Sequence, residues 1–88
     1  MKKAKEGSLV KENGEEVVVL SPRQEDVLGG VVSGMNAPQI AERLGLSVGY
    51  VRNVIRVLYE KTGADKGEKF TARARLVRWA MENGYGGD

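Results

Sequence analysis

Arg52, Asn53 and Arg56 stand at i, i+1 and i+4 of a stretch that reads as a helix. Their side chains suit the reading of base edges. Arginine grips guanine through two parallel N–H bonds, and asparagine pairs with adenine in the same two-pronged way. Two helix starts, at Asn36 and Ser47, would offer free backbone N–H groups to phosphates. Residue types for other chemistry are scarce. The 88-residue chain contains no cysteine and no histidine. A disulfide, a Cys/His metal site, a thiol nucleophile and a histidine base are therefore excluded. No remaining pair has the spacing of a nucleophile and its base, and the glycines form no phosphate-cradling loop. Glu15-Glu16 and Glu25-Asp26 are adjacent and read as solvated carboxylates. The expectation is a binding protein with no metal and no cofactor, not an enzyme.

The elements that would position these side chains follow from caps and periodicity. Ser21 reads as an N-cap, with Pro22 at the first helical position and Gln24 closing a capping box. At roughly 100° per residue, Val27, Leu28, Val31 and Met35 share one face of helix one. Gly29 and Gly30 fall mid-helix and away from that face, each costing roughly 1 kcal/mol relative to alanine. Asn36 caps helix two, with Gln39 three residues on and Ile40, Ala41 and Leu44 inward. Gly45 ends it as a left-handed cap. Leu46 plugs the turn, and Ser47 caps helix three, which runs over 48–62 to Gly63. Val48, Val51, Ile55, Leu58 and Tyr59 lie on one side of that helix, with Arg52, Asn53, Arg56 and Glu60 on the other. Thr71 caps a fourth helix to about Asn83, with Ala72, Leu76, Trp79 and Ala80 in one stripe and Val77 at its edge. Upstream, Asn13-Gly14 is a strong two-residue turn signal. It folds 8–19 into a hairpin that pairs Val10 with Val17 and Leu9 with Val18. Residues 1–7 and 85–88 read as flexible tails around a domain over 20–84.

Residues 36–58 thus make a helix-turn-helix. Ala41 is small where the two helices cross, Gly45 takes the positive φ, and Ile40, Leu44, Leu46, Val51 and Ile55 fill the wedge. The outer face of helix three is left free, its N-terminal half presented to a groove. Charge agrees. The net charge is only +2, but Gly45–Tyr59 and Lys69–Met81 contain no acid, and they carry two arginines and three arginines with one lysine respectively. With 41% hydrophobic residues there is enough for one small core. No apolar run reaches the roughly 18 residues of a membrane span, and no secretory signal follows the basic start. No membrane association and a cytoplasmic location are expected.

Leu20-Ser21-Pro22-Arg23 through Gly63 resembles, without a gap, the LuxR/GerE-type helix-turn-helix domain of bacterial transcription regulators. The landmarks are Leu20, Arg23, Val27-Leu28, Gly34, Ile40-Ala41, Leu44, Ser47, Val51, Arg52, Ile55, Lys61 and Gly63. Arg73, Val77 and Ala80 look like the family's last helix. The resemblance implies a mainly α, four-helix domain that binds duplex DNA in the major groove. The family's base-contacting positions fall on Arg52, Asn53 and Arg56. Phosphate contacts are expected from Arg23, Ser47, Tyr50, Lys61, Lys69, Arg73 and Arg75. Members dimerise commonly through the last helix, which makes Val77, Trp79 and Ala80 the candidate homodimer surface. Departures are Tyr50 where threonine is usual, Val54 where histidine is usual, Ala37-Pro38 in place of a polar or basic pair, and about six extra residues before Arg73. Most members carry a receiver or ligand-binding domain, for which this chain has no room, so it looks like an effector-only protein or a separately made fragment.

Other readings use the same residues. Sigma-factor region four shares the motif, often with a pair like Val51-Arg52, and would make RNA polymerase the partner. A protein-interaction module would use the helix-turn-helix as scaffold, with Trp79, Val77 and the hairpin as its contact surface. A plain helical bundle also accommodates a cap-glycine-cap hairpin. In that case Arg52 and Arg56 are a solvated face and Trp79 is core.

Overall fold

Four short polar side chains set where the helices begin. In the computed structural model, which describes residues 8–10 and 16–85, α1 spans Pro22–Val32, α2 Ala37–Leu44, α3 Val48–Thr62 and α4 Ala72–Glu82. The Ser21 hydroxyl accepts from the Gln24 N–H at 3.2 Å, and the Gln24 side chain accepts from the Ser21 N–H at 3.0 Å. Asn36 and Gln39 repeat this reciprocal box at 2.9 Å in both directions. Ser47 and Thr71 accept from the N–H groups of Tyr50 and Ala74. Each cap satisfies donors that a helix start leaves unpaired, at about 1 kcal/mol per cap. All four starts are the expected ones. Glycine at φ 70° (Gly45) and 77° (Gly63) ends α2 and α3 in the left-handed region, where a Cβ would be strained.

One core joins the four helices, with α1 and α3 each packed against the other three. Val27, Leu28, Ile40, Val51, Leu58 and Leu76 are fully or almost fully buried in it. Three placements differ from the sequence reading. Gly30 is buried while Gly29 is exposed. A Cβ on Gly30 would lie 2.6 Å from Ile40 Cγ1, so this glycine is where α1 and α2 approach each other. Val54 is buried, whereas Ile55 and Tyr59 are half-exposed, so the inward side of α3 is rotated toward Val54. Ala64, in the turn after α3, is also core.

Ahead of the helices, β1 (Ser8–Val10) pairs antiparallel with β2 (Glu16–Val18). Val10 pairs with Glu16 and Leu9 with Val17. A two-residue Asn13-Gly14 turn would pair Val10 with Val17, so the register is one residue away from that expectation. Turn type and loop length fix hairpin register, and the pairing leaves residues 11–15 as the connection, which lies outside the described residues along with 1–7 and 86–88. Among the described residues, no helix is long and apolar enough to cross a membrane.

Candidate nucleic-acid interface

Two backbone hydrogen bonds close the turn between α2 and α3. The Leu46 N–H donates to the Ala41 carbonyl at 2.9 Å, and the Gly45 N–H donates to the Glu42 carbonyl at 3.4 Å. This pairing closes the C-terminus of α2 in the way that needs a left-handed residue at Gly45. Ala41 and Ile40 are buried behind the turn, and Leu44 and Leu46 are half-buried around it. Ser47 then restarts the chain as α3 at once, so α3 is pinned at its N-terminus by hydrogen bonds and along its length by Val51, Val54 and Leu58.

That pinning decides what α3 shows to solvent. At about 100° per residue, the direction opposite Val51, Val54 and Leu58 is occupied by Gly49, Asn53, Arg56 and Glu60, with Arg52 on its flank. All five are exposed. Arg52, Asn53 and Arg56 are therefore brought together, as the sequence reading has it. Arg56 Nη2 donates to Asn53 Oδ1 at 2.7 Å. The first turn of α3 contains no acid, and Glu60 lies at the far end of the same side. A polyanion is thus favoured at the N-terminal half and opposed at the C-terminal end. Gly49 adds no bulk there, and an added Cβ would meet nothing. Tyr50, at 45% exposure, flanks the N-terminus beside the Ser47 cap.

The remaining predicted contacts separate into two groups. Arg23 and Lys69 are exposed. Lys61 is half-buried, and its Nζ donates to Gln24 Oε1 at 2.8 Å, which ties the last turn of α3 to the first turn of α1. Arg73 Nη2 donates to the carbonyls of Val31 (3.3 Å), in the last turn of α1, and of Met35, in the connection before α2. Arg75 Nε donates to the Ala64 carbonyl at 2.7 Å, and its Nη1 donates to the Phe70 carbonyl. Both guanidinium groups bond the chain's own backbone, across 42 and 38 residues for Arg73. The charge pattern gave no sign of this. Carbonyls with helical spacing are common, and nothing local marks which arginine will reach them.

Arg73→Met keeps the apolar stem and removes these donors. The stability loss should be about 1–3 kcal/mol, the cost of part-buried carbonyls left without partners. A urea melt would show it. An unchanged midpoint would mean that water satisfies Val31 and Met35 equally well.

Of the candidate surface on α4, Val77 is half-buried. Trp79 stacks on Tyr85, with ring centroids 5.6 Å apart and 12° between planes. Ala80 is fully buried in the chain's own core, so it is not open to a partner. The sequence reading missed Met81, which is 63% exposed. Its helical spacing from Ala74 and Val77 was the available signal. A surface depression between the 62–70 segment and α4 is lined by Phe70, Arg75 and Trp79 among others, and includes none of Arg52, Asn53 and Arg56. The convergent polar groups lie on a convex helix face, which fits a groove in a partner and not a small molecule.

The chain is similar to known proteins in sequence and in fold. Residues 18–80 match the family model described as bacterial regulatory proteins, luxR family (GerE). The chain is 34% identical over 82 residues to a probable transcriptional regulator, ycf29, of Cyanophora paradoxa, covering 93% of this chain and 36% of that protein. It is 34% identical over 65 residues to the transcriptional regulatory protein MctR of Rhizobium johnstonii, covering 74% of this chain and 28% of that one. The chain thus spans about a third of the length of these relatives. Among solved structures it is similar in fold to VqmA bound to DPO, with a TM-score of 0.63 and 21% identity over 90% of this chain and 40% of that chain.

Proposed function

This chain belongs to the luxR family of bacterial regulatory proteins, and on that premise we propose that it regulates transcription by binding duplex DNA in a sequence-specific way. The observation that carries the reading is the exposed side of α3. There Arg52, Asn53 and Arg56 converge opposite the core, with no acid in the first turn. The α3 helix enters the major groove by its N-terminal half, and these three side chains face the base edges. Backbone N–H groups at Ser47, with Tyr50, Arg23 and Lys69 around them, bind phosphates. Arg73, Arg75 and Lys61 support this frame mainly by holding α1, the 64–70 segment and α3 together.

A homodimer through α4 is part of the same proposal, with Val77 and Met81 as its apolar contacts. Half-exposed Val77 and the 63% exposure of Met81 favour it. Met81 and the exposed Phe70 also fit a second reading, an interaction module for another protein such as RNA polymerase.

Selection from random duplex DNA tests the proposal. One enriched motif is expected, with two inverted half-sites spaced about 10 base pairs apart if the dimer is two-fold. Affinity for that motif should fall steeply with salt, the log–log slope steepening by about 0.9 for each phosphate neutralised. No enrichment by a protein shown to be folded overturns the specific-regulator reading in favour of the interaction module.

A further inference from the structure

We propose that Asn53 acts in DNA recognition as a positioning residue for Arg56, and not as an independent reader of a base; this rests on the assignment of α3 to the major groove. The two residues lie one turn apart on the exposed side of α3, and Arg56 Nη2 donates to Asn53 Oδ1 at 2.7 Å. That is the length of a bond strengthened by charge. Residues three apart on a helix are neighbours, so the bond is within reach of both side chains.

An arginine free in solution occupies many rotamers and gives most of them up inside a groove. One held beforehand gives up fewer. The guanidinium has five N–H donors in a fixed plane. Spending one on Asn53 leaves a two-pronged edge open to a guanine.

The amide is in the reverse position. Pairing with adenine on both prongs requires Oδ1 and Nδ2 side by side at the base edge. Here one of the two lone pairs of Oδ1 is taken by Arg56, one turn further along the helix, so a two-pronged pair with adenine would have to share that oxygen with the guanidinium. The free Nδ2 donor suits an acceptor on guanine, adenine or thymine, or on a phosphate, which carries little sequence information. Asn53 and Arg56 thus form a unit whose base-specific member is Arg56.

The test is a preference profile on the full chain. Relative affinities are measured for every single-base change of the selected motif, with wild type, Arg56→Ala, Asn53→Ala, Asn53→Asp and the Asn53→Ala/Arg56→Ala double variant. Thermal melts confirm that each variant is folded. Arg56→Ala should erase the preference at one guanine. Asn53→Ala should weaken the preference at that same guanine by about two- to tenfold, and should add nothing in the Arg56→Ala background. Asn53→Asp should restore that preference, because a carboxylate still accepts from the guanidinium. Its charge should lower affinity for all sequences together, which leaves the profile unmoved.

If Asn53→Ala instead erases an adenine elsewhere in the motif, adds to Arg56→Ala and is not rescued by aspartate, Asn53 reads a base and the proposal fails. It fails equally if Asn53→Ala leaves every preference unchanged. If Arg56→Ala moves no preference while a motif is still selected, Arg56 is not a reader; this proposal falls and DNA binding stands. If no motif is selected at all, both fall.

Discussion

Gly30→Val should lower the stability of this domain by about 2–3 kcal/mol, while Gly29→Ala, one residue earlier, should raise it by about 1 kcal/mol. The two glycines are indistinguishable by helix propensity, and each is unfavourable in a helix interior. Their surroundings differ. A Cβ on Gly29 meets nothing within 4 Å, so alanine there gains propensity at no steric expense. A Cβ on Gly30 would lie 2.6 Å from Ile40 Cγ1 and 3.0 Å from its Cδ1. Ile40 is branched at Cβ and 1% exposed, so it has few rotamers into which to retreat. Valine adds two further methyl groups to that crowding. The adjustment left is a wider separation of α1 from α2, which loosens the packing of the two helices that seat α3. With total stability on the order of 5–10 kcal/mol for a domain of this size, the expected loss is a large share. It should appear as a fall of about 4–8 °C in Tm per kcal/mol. A cavity-making partner change separates crowding from propensity. In an Ile40→Ala background the penalty of Gly30→Val should shrink, since the two sites share one contact. Equal effects of Gly29→Ala and Gly30→Ala would refute the close approach.

What the sequence discloses and what it conceals divide along the range of the interaction. The caps at Ser21, Asn36, Ser47 and Thr71 accept from an N–H three residues on. Gly45 and Gly63 answer a local need for positive φ. Such signals lie within one turn of chain and can be read without knowing the fold. The exposed trio on α3 is legible for a related reason: it lies opposite an apolar stripe, and periodicity alone finds it. Gly30, Val54 and Arg73 are of another kind. The role of Gly30 depends on Ile40, on the next helix. Val54 sits at the flank of its stripe, so its burial is decided by how α3 is rolled against its neighbours. Arg73 reaches the carbonyls of Val31 and Met35, in the last turn of α1 and the connection after it, a pairing that charge counting cannot register. Ala80 shows the same limit: a small residue on an apolar stripe fits a dimer seam and a core equally well. Here it is core, and Met81 beside it is open. The candidate reading face was therefore visible in advance, whereas the frame that holds it was visible only in part.

Removing both arginines of α3 should separate recognition from that frame. In Arg52→Ala/Arg56→Ala, specific affinity should fall by roughly 2–6 kcal/mol if each arginine grips a guanine and the two losses add, which is about 30-fold to 20,000-fold. Both residues are exposed, and Arg56 donates only to Asn53 on the same face among the described residues. Surface substitutions of this kind change stability by about 0.5 kcal/mol or less. A melting curve should accordingly match wild type, and that match removes misfolding as an explanation of lost binding. Affinity for unrelated DNA decides what the arginines touch. Base contacts predict that the selected motif weakens to nearly the level of unrelated sequence, which itself changes far less, because the phosphate contacts proposed at Ser47, Tyr50, Arg23 and Lys69 are left in place. Phosphate contacts predict the opposite: a uniform loss on every sequence, with the salt slope shallower by about 0.9 for each contact removed. A pattern of the second kind would keep α3 against DNA but take sequence reading away from Arg52 and Arg56. Specificity would then have to come from the shape and deformability of the duplex.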